Sequence, residues 1–433
     1  MGVKHVEQIK SFVLFLLVSL SLMLTFSIWT YTPDYQTIEE SQVEQIKISK
    51  EKELLDVLKP YRMLTHENGG FLGTSSSSAI EEVMKAIVSM DATEIRFVQS
   101  NISEKEINSM VHSDNQITLL FSAEVPINTF SSILRFSQAE LPEAAFSQML
   151  IDWSNFDQTN TLQLSFISKD HQTLYSTIAT IGKEQLESTI MKVEQKSVPY
   201  EEIERPEQLS LYVPSNPVDL VQYTYYIDEI SPEVFKDVLF KDANLAKKNV
   251  ESNTYTDGMA MMTSDSKTKT INYAYPTAES MIEIKQSDLV QDSFEFINEH
   301  GGLTEDYRYY YSNVPKHIIE YQLYLQGLPV FSSITSTQIE VTWGGNQVFE
   351  YKRPYYIFEF SESSTRQLPS GVEMIKSREN IQDIDELVLG YYLTQDPLKI
   401  DVYSLEPCWF VIEDGEWSRI TTEPVGGAQY GLE

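Results

Sequence analysis

Ser49 and Lys52 stand three apart in "SKEK", and Ser113, Asp114 and Asn115 follow as "SDN". A serine with a lysine three residues on can serve as an acyl-transfer nucleophile with its base, and an S-D-N element can line the same cleft. That chemistry also needs the serine at a packed helix start and a K-T-G element on the opposite wall, and the chain contains no K-T-G. Ser49 lies in a charged run, and two further S-x-x-K matches, Ser264/Lys267 and Ser266/Lys269, fall in a turn-like stretch. The pattern is read as coincidence, and no catalytic residue is assigned.

Metal and phosphate chemistry fare no better. The histidines, His5, His66, His112, His171, His300 and His317, form no H-E-x-x-H and no i, i+4 ligand pair. "HENGGFLG" (66–73) and "NEHGGLTED" (298–306) pair glycines with acids, but neither has P-loop or EF-hand spacing, so turn glycines explain both. Asn101-Ile102-Ser103 is a glycosylation sequon of little weight. No cofactor or metal site is read. Cys408, the single cysteine, sits in "EPCWFVI", a strand-like apolar run that suits a buried thiol.

The elements that would position any site mix helices and strands. "SSSSAIEEVMKAIVSM", "NISEKEINSMV" and "KEQLESTIMKV" read as amphipathic helices, the second with Ser103 and Glu106 at capping-box spacing. "QITLLFSAEV", "TLQLSFIS", "TLYSTIATI" and "LVQYTYYI" read as strands. Ser231 and Pro232 open a helix in "SPEVFKDVLF". Asp257-Gly258, Gly344-Gly345-Asn346 and Asp414-Gly415 mark hairpins. "SGVEMIKSRENIQDIDELVLGYYLT" is expected to be a late helix, capped by Ser370 and Glu373 and ended by Gly390. Hairpins among single helices argue for an α+β class, antiparallel sheets with helices packed on one face.

A different chemistry governs the N-terminus. Phe12 to Tyr31 passes without a charge and is long enough, at about 1.5 Å per residue, to reach the roughly 30 Å of a bilayer core. A secretory signal has a shorter apolar core and a small-residue cleavage site, and none is present. The expectation is an uncleaved transmembrane helix with Lys4, Lys10, Trp29, Tyr31 and Tyr35 as interface anchors. Lys4 and Lys10 precede the span while acids follow it, which puts the N-terminus in the cytoplasm and the bulk outside the cell. Leu14, Val18, Ser21, Thr25 and Ile28 fall at alternating four- and three-residue steps. Their small hydroxyl centre suits a face packed on a partner helix.

The chain has 433 residues, 42% of them hydrophobic, which exceeds one typical core. A formal charge of −32 repels phosphate backbones, so nucleic acid is excluded as a partner. One cysteine means no internal disulfide, which fits a Gram-positive cell surface. The expected organisation is a tail (1–11), the span (12–31), a first α+β domain (36–198), a linker (199–217) rich in Pro and Glu, and α+β domains at 218–299 and 300–433.

The order of these parts, with "SIWTYTPDY", "LKPYRMLTHENGGFLGTS", "YIDEISPEVFKDVLF", "YTDGMAMM", "IEYQLYLQGLPVF", "IQDIDELVLGYYL" and "PCWFVIEDGEWSRI", resembles the YycH family of membrane-anchored regulators of the cell-wall two-component system in low-GC Gram-positive bacteria. The C-terminal half is also similar to YycI. The resemblance implies a non-enzymatic protein that associates, together with a YycI-like partner, with the sensor histidine kinase YycG (WalK) and modulates its signalling. The alternative is a membrane-tethered envelope module that engages wall polymer, cations or a basic protein without kinase contact.

Overall fold

The computed structural model describes residues 3–30 and 48–420, apart from 68, 169–172, 281, 379, 400 and 414. His171 and Asp414 therefore lie outside the described residues. The chain divides into two units, Met1–Ile46 and Lys47–Glu433.

In the first unit, Val3–Thr30 is one helix. Its described side chains from Phe12 to Thr25 are all exposed. The uncharged part of this helix, Phe12 to Thr30, extends about 28 Å, against roughly 30 Å for a hydrocarbon core. Among the described residues no helix is long and apolar enough to cross a membrane.

In the second unit, local signals act where they stand. Ser103 Oγ accepts from the Glu106 N–H and the Glu106 carboxylate accepts from the Ser103 N–H, a reciprocal cap on helix Glu104–Val111. Ser370 and Glu373 do the same for helix Gly371–Lys376, and Ser231 with Pro232 opens helix Pro232–Leu239. The three expected hairpin turns place Gly258, Gly345 and Gly415 at positive φ, where glycine carries no steric cost.

Among the described residues the strands form one sheet of eleven and one of fourteen. Pairing is antiparallel except between Asp91–Ala92 and Arg135–Phe136 and between Leu328–Phe331 and Glu386–Gln395. The first sheet runs Leu211–Pro214, Val198–Ile203, Gly70–Thr74, Arg62–Glu67, Gln116–Pro126, Ala145–Asp152, Leu162–Ile167, Leu174–Thr180 through its middle. Helices Ser77–Val88 and Lys183–Glu194 lie side by side against it. Ile80, Val83, Met84 and Ile87 recur at three and four residues and are buried, which is why that segment is a helix. The α+β class holds.

Three sequence expectations need correction. The segment 199–217 is no linker: Val198–Ile203 and Leu211–Pro214 are strands of the first sheet, with Tyr200 opposite Phe71. Tyr200 and Tyr212 bury against Leu64 and Phe71, and that apolar gain outweighs the local Pro and Glu content. The segments 218–299 and 300–433 share one sheet, because Thr270–Ala274 pairs with Gln347–Pro354. Helix Gln286–Glu299 is tied to the later strands by Trp343 Nε1 donating to Ser293 Oγ at 2.7 Å. One apolar cluster includes Leu119, Phe146, Met262, Ile319 and Leu405, so the halves share a core. Finally, the late helix stops at Lys376, and Glu386–Gln395 is a strand paired along its length with Val402–Glu413. Leu387, Tyr391 and Leu393 are buried there, and Gly390 lies in mid-strand instead of at a helix end.

Candidate functional site

The residues that could have made a serine enzyme take separate structural partners. Ser49 Oγ donates to the Gly301 carbonyl at 3.2 Å, and the Lys52 backbone exchanges hydrogen bonds with the Asn298 side chain at 3.2 and 3.0 Å. Together they fasten the start of the folded unit to the "NEHGGLTED" loop. Gly302, at φ +69°, is needed there because a Cβ would stand 2.0 Å from Ser49 Oγ. Asp114 instead sits 3.0 Å from His66 Nδ1, without the alignment of a hydrogen bond. Cys408 is buried, and burial pushes its thiol up to about 11, as expected of a structural cysteine.

A pocket that the sequence did not announce lies beside His66. The facing stripes of helices Ser77–Val88 and Lys183–Glu194 meet over strands Arg62–Glu67, Gln116–Pro126 and Ala145–Asp152, but Ala86 is too small to close the gap. A cavity of about 110 Å³ remains. Val83, Ala86, Met90, Leu186, Ile190 and Val193 form its walls, with Ile117, Ile151 and Trp153 opposite. Thr65, His66, Glu67, Asn115, Gln116, Thr189 and Glu194 complete the lining with polar groups.

Negative charge dominates these polar groups. Among the described residues neither Glu67 nor Glu194 makes an ion pair. Two nearby lysines are used elsewhere: Lys85 and Lys192 both bind Glu82, at 3.2 and 2.5 Å. Partial burial, then repulsion from Glu67, hold the Glu194 carboxyl above the usual carboxylate range. His66 packs on Phe71 and His112, with ring centroids 4.8 and 5.7 Å away. Burial opposes a charge on His112, but its hydrogen bonds to the Asn108 carbonyl (2.6 Å) and Glu202 (2.7 Å) outweigh that and raise it above the ordinary imidazole range. Shape, apolar surface and negative potential are what the pocket offers; its lining pairs no nucleophile with a base. An apolar concavity with a few converging polar groups and a shifted carboxyl is the usual form of a ligand site. Its parts come from residues 65–67, 83–90, 115–117, 151–153 and 186–194. The only advance signal was the pair of amphipathic helices.

The helix face read from the sequence has a definite local geometry. Leu14, Val18, Ser21 and Thr25 are exposed on helix Val3–Thr30, as is Lys10. Thr25 Oγ1 donates to the Ser21 carbonyl at 2.8 Å, so its proton is committed to the helix backbone. The side chains of Lys4, Ile28 and Trp29, and all of Tyr31 and Tyr35, lie outside the described residues.

Comparison with known proteins adds the following. The YycH protein N-terminal domain family matches residues 7–196, and the YycH protein C-terminal domain family matches residues 208–424. A Bacillus subtilis (strain 168) protein named two-component system WalR/WalK regulatory protein YycH is 21% identical over 454 residues, covering 99% of each chain. The crystal structure of YycH from Bacillus subtilis matches with a TM-score of 0.74 at 18% identity, over 86% of this chain and 98% of that one.

Proposed function

This chain belongs to the YycH family, and from that premise we propose that it is a non-enzymatic, membrane-anchored regulator of a two-component sensor kinase. Family membership along almost the whole chain carries the reading, since the matched Bacillus subtilis protein is named as a WalR/WalK regulatory protein. In this reading helix Val3–Thr30 crosses the membrane with its N-terminus in the cytoplasm, and residues from Lys47 onward fold outside. The regulator acts with a YycI-like partner and contacts the histidine kinase through the helix.

Three observations support an intramembrane role for the helix. It is uncharged from Phe12 to Tyr31, its described apolar side chains are exposed, and it belongs to a different unit from residues Lys47–Glu433. Exposed Phe15 and Met23, each at 71%, would be costly in water and are natural in lipid. Since Thr25 spends its proton within the helix, Ser21 is the donor we assign to the kinase contact. Interhelical hydrogen bonds in membranes average about 0.6 kcal/mol. A regulator shifts a kinase equilibrium only by its difference in affinity for the two signalling states, so such small contacts suffice to tune output but not to lock it.

The test is crosslinking in native membranes, comparing the tagged full chain with a version whose residues 12–31 are replaced by an unrelated membrane helix. Recovery of the kinase and the YycI-like protein by the full chain, with kinase lost in the swap, is expected. Failure of both versions to recover kinase, under conditions that trap other membrane complexes, refutes the assignment. Ser21→Leu should shift kinase reporter output at unchanged expression, and Thr25→Val should shift it less.

A further inference from the structure

We propose that the cavity beside His66 is a binding site for a small organic ammonium ion with an apolar body. The inference is independent of the kinase contact, because it concerns a pocket in the folded unit Lys47–Glu433.

Size sets the body. An engineered apolar cavity of about 150 Å³ stays dry and takes up benzene; at about 110 Å³, walled by Val83, Met90, Leu186 and Ile190, this one suits about four to five carbon atoms. Water gains little in such a space, since it finds few partners along those walls. An apolar group that enters trades water for contacts on several sides.

Charge sets the head group. Glu67 and Glu194 belong to the same lining and neither makes an ion pair among the described residues, while Lys85 and Lys192 are held on Glu82 and Lys183 on Asp157. Partial burial and, after it, repulsion from Glu67 raise the Glu194 carboxyl, and a positive charge between the two carboxylates relieves that repulsion. Asn115 and Thr65 add carbonyl and hydroxyl acceptors for ammonium protons. A carboxylate-bearing ligand of the same size meets repulsion instead, and a neutral one gains only the burial. The selectivity therefore resides in the two glutamates, and the capacity to bind resides in the gap at Ala86.

The experiment uses the full chain in lipid nanodiscs and a pentylammonium probe carrying an alkyl diazirine. The corresponding pentanol is the uncharged comparator. After photolysis, labelled peptides are identified by mass spectrometry. Labelling within residues 83–90, 151–153 or 186–194, competed by excess pentylammonium and at least fivefold weaker with the pentanol probe, is the expected result. The Glu67→Gln/Glu194→Gln variant, altered only at exposed positions, should lose at least fivefold of the ammonium labelling and none of the pentanol labelling. Ala86→Leu, checked by circular dichroism, should remove both. Equal labelling by the two probes, or undiminished ammonium labelling in the double glutamine variant, overturns the charge assignment. Label confined to other parts of the chain overturns the site.

Discussion

Replacing Arg62 by methionine should destabilise the whole folded unit, not one domain of it. Arg62 is 4% exposed and its guanidinium holds three acceptors: Glu386 Oε1 at 2.7 Å, the Tyr212 carbonyl at 2.8 Å and the Leu387 carbonyl at 2.9 Å. Tyr61 Oη donates to the other Glu386 oxygen at 3.0 Å, and the Tyr61 and Tyr200 rings lie 5.3 and 5.8 Å from the guanidinium carbon. Methionine fills much of the volume but leaves a largely buried carboxylate and two buried carbonyls without their donor. Breaking a buried pair from one side costs about 3–5 kcal/mol. For a unit of roughly 390 residues the unfolding entropy is about 0.8 kcal/mol/K, so the melting temperature should fall by about 4–6 °C. Calorimetry on the purified full chain measures this directly. Because the clamp joins strand Arg62–Glu67 to strand Glu386–Gln395, one transition should move as a whole. A drop below about 1 °C, or a melt that splits with only one part displaced, would refute the shared-core reasoning. Arg62→Met with Glu386→Leu should cost less than the sum of the single changes, since the second replacement removes the orphaned charge.

Glu320 faces Glu340 directly across strands Ile318–Leu325 and Gln338–Gly344, and burial, then Glu340 and Glu416, push its carboxyl up to about 7 against the pull of Lys352. Between about pH 4.5 and 7 the folded state keeps a proton that the unfolded chain has lost, so stability falls as pH rises through that window and is level above it. Glu320→Gln should therefore raise the urea midpoint at pH 8, by at most about 3 kcal/mol in stability, and leave it unchanged at pH 4; equal gains at both pH values would count against the shift. Gly390→Ala sets a Cβ 2.8 Å from the Pro329 carbonyl oxygen and 2.9 Å from the Phe410 ring, and should cost about 1–3 kcal/mol by overpacking; an unchanged melt would mean that the strand moves freely. Ser370→Ala removes the acceptor of the Glu373 N–H and should cost about 1 kcal/mol in a denaturant titration, with Ser370→Asp restoring most of it.

What the sequence determined by itself was whatever short-range physics controls. Ser103 with Glu106, Ser231 with Pro232 and Ser370 with Glu373 announce helix starts because a cap is made within three or four residues. Gly258, Gly345 and Gly415 announce turns because positive φ is a property of one residue. The apolar run from Phe12 to Tyr31 is likewise legible, because it is a property of consecutive residues. Tertiary structure decided the rest. "IDELVLGYYLT" fits a helical or an extended pattern, and only the partner strand Val402–Glu413 selects the strand. The Pro- and Glu-rich stretch 199–217 looks like a linker until strand Gly70–Thr74 supplies an edge to pair with and Phe71 supplies a surface for Tyr200. Neither the Arg62–Glu386 clamp nor the pocket beside His66 exists in any local window. The first joins residues 324 apart in sequence, and the second arises where five separate segments fail to close around Ala86. Caps and turns depend on neighbours the chain cannot avoid, whereas clamps and cavities depend on neighbours that only folding supplies.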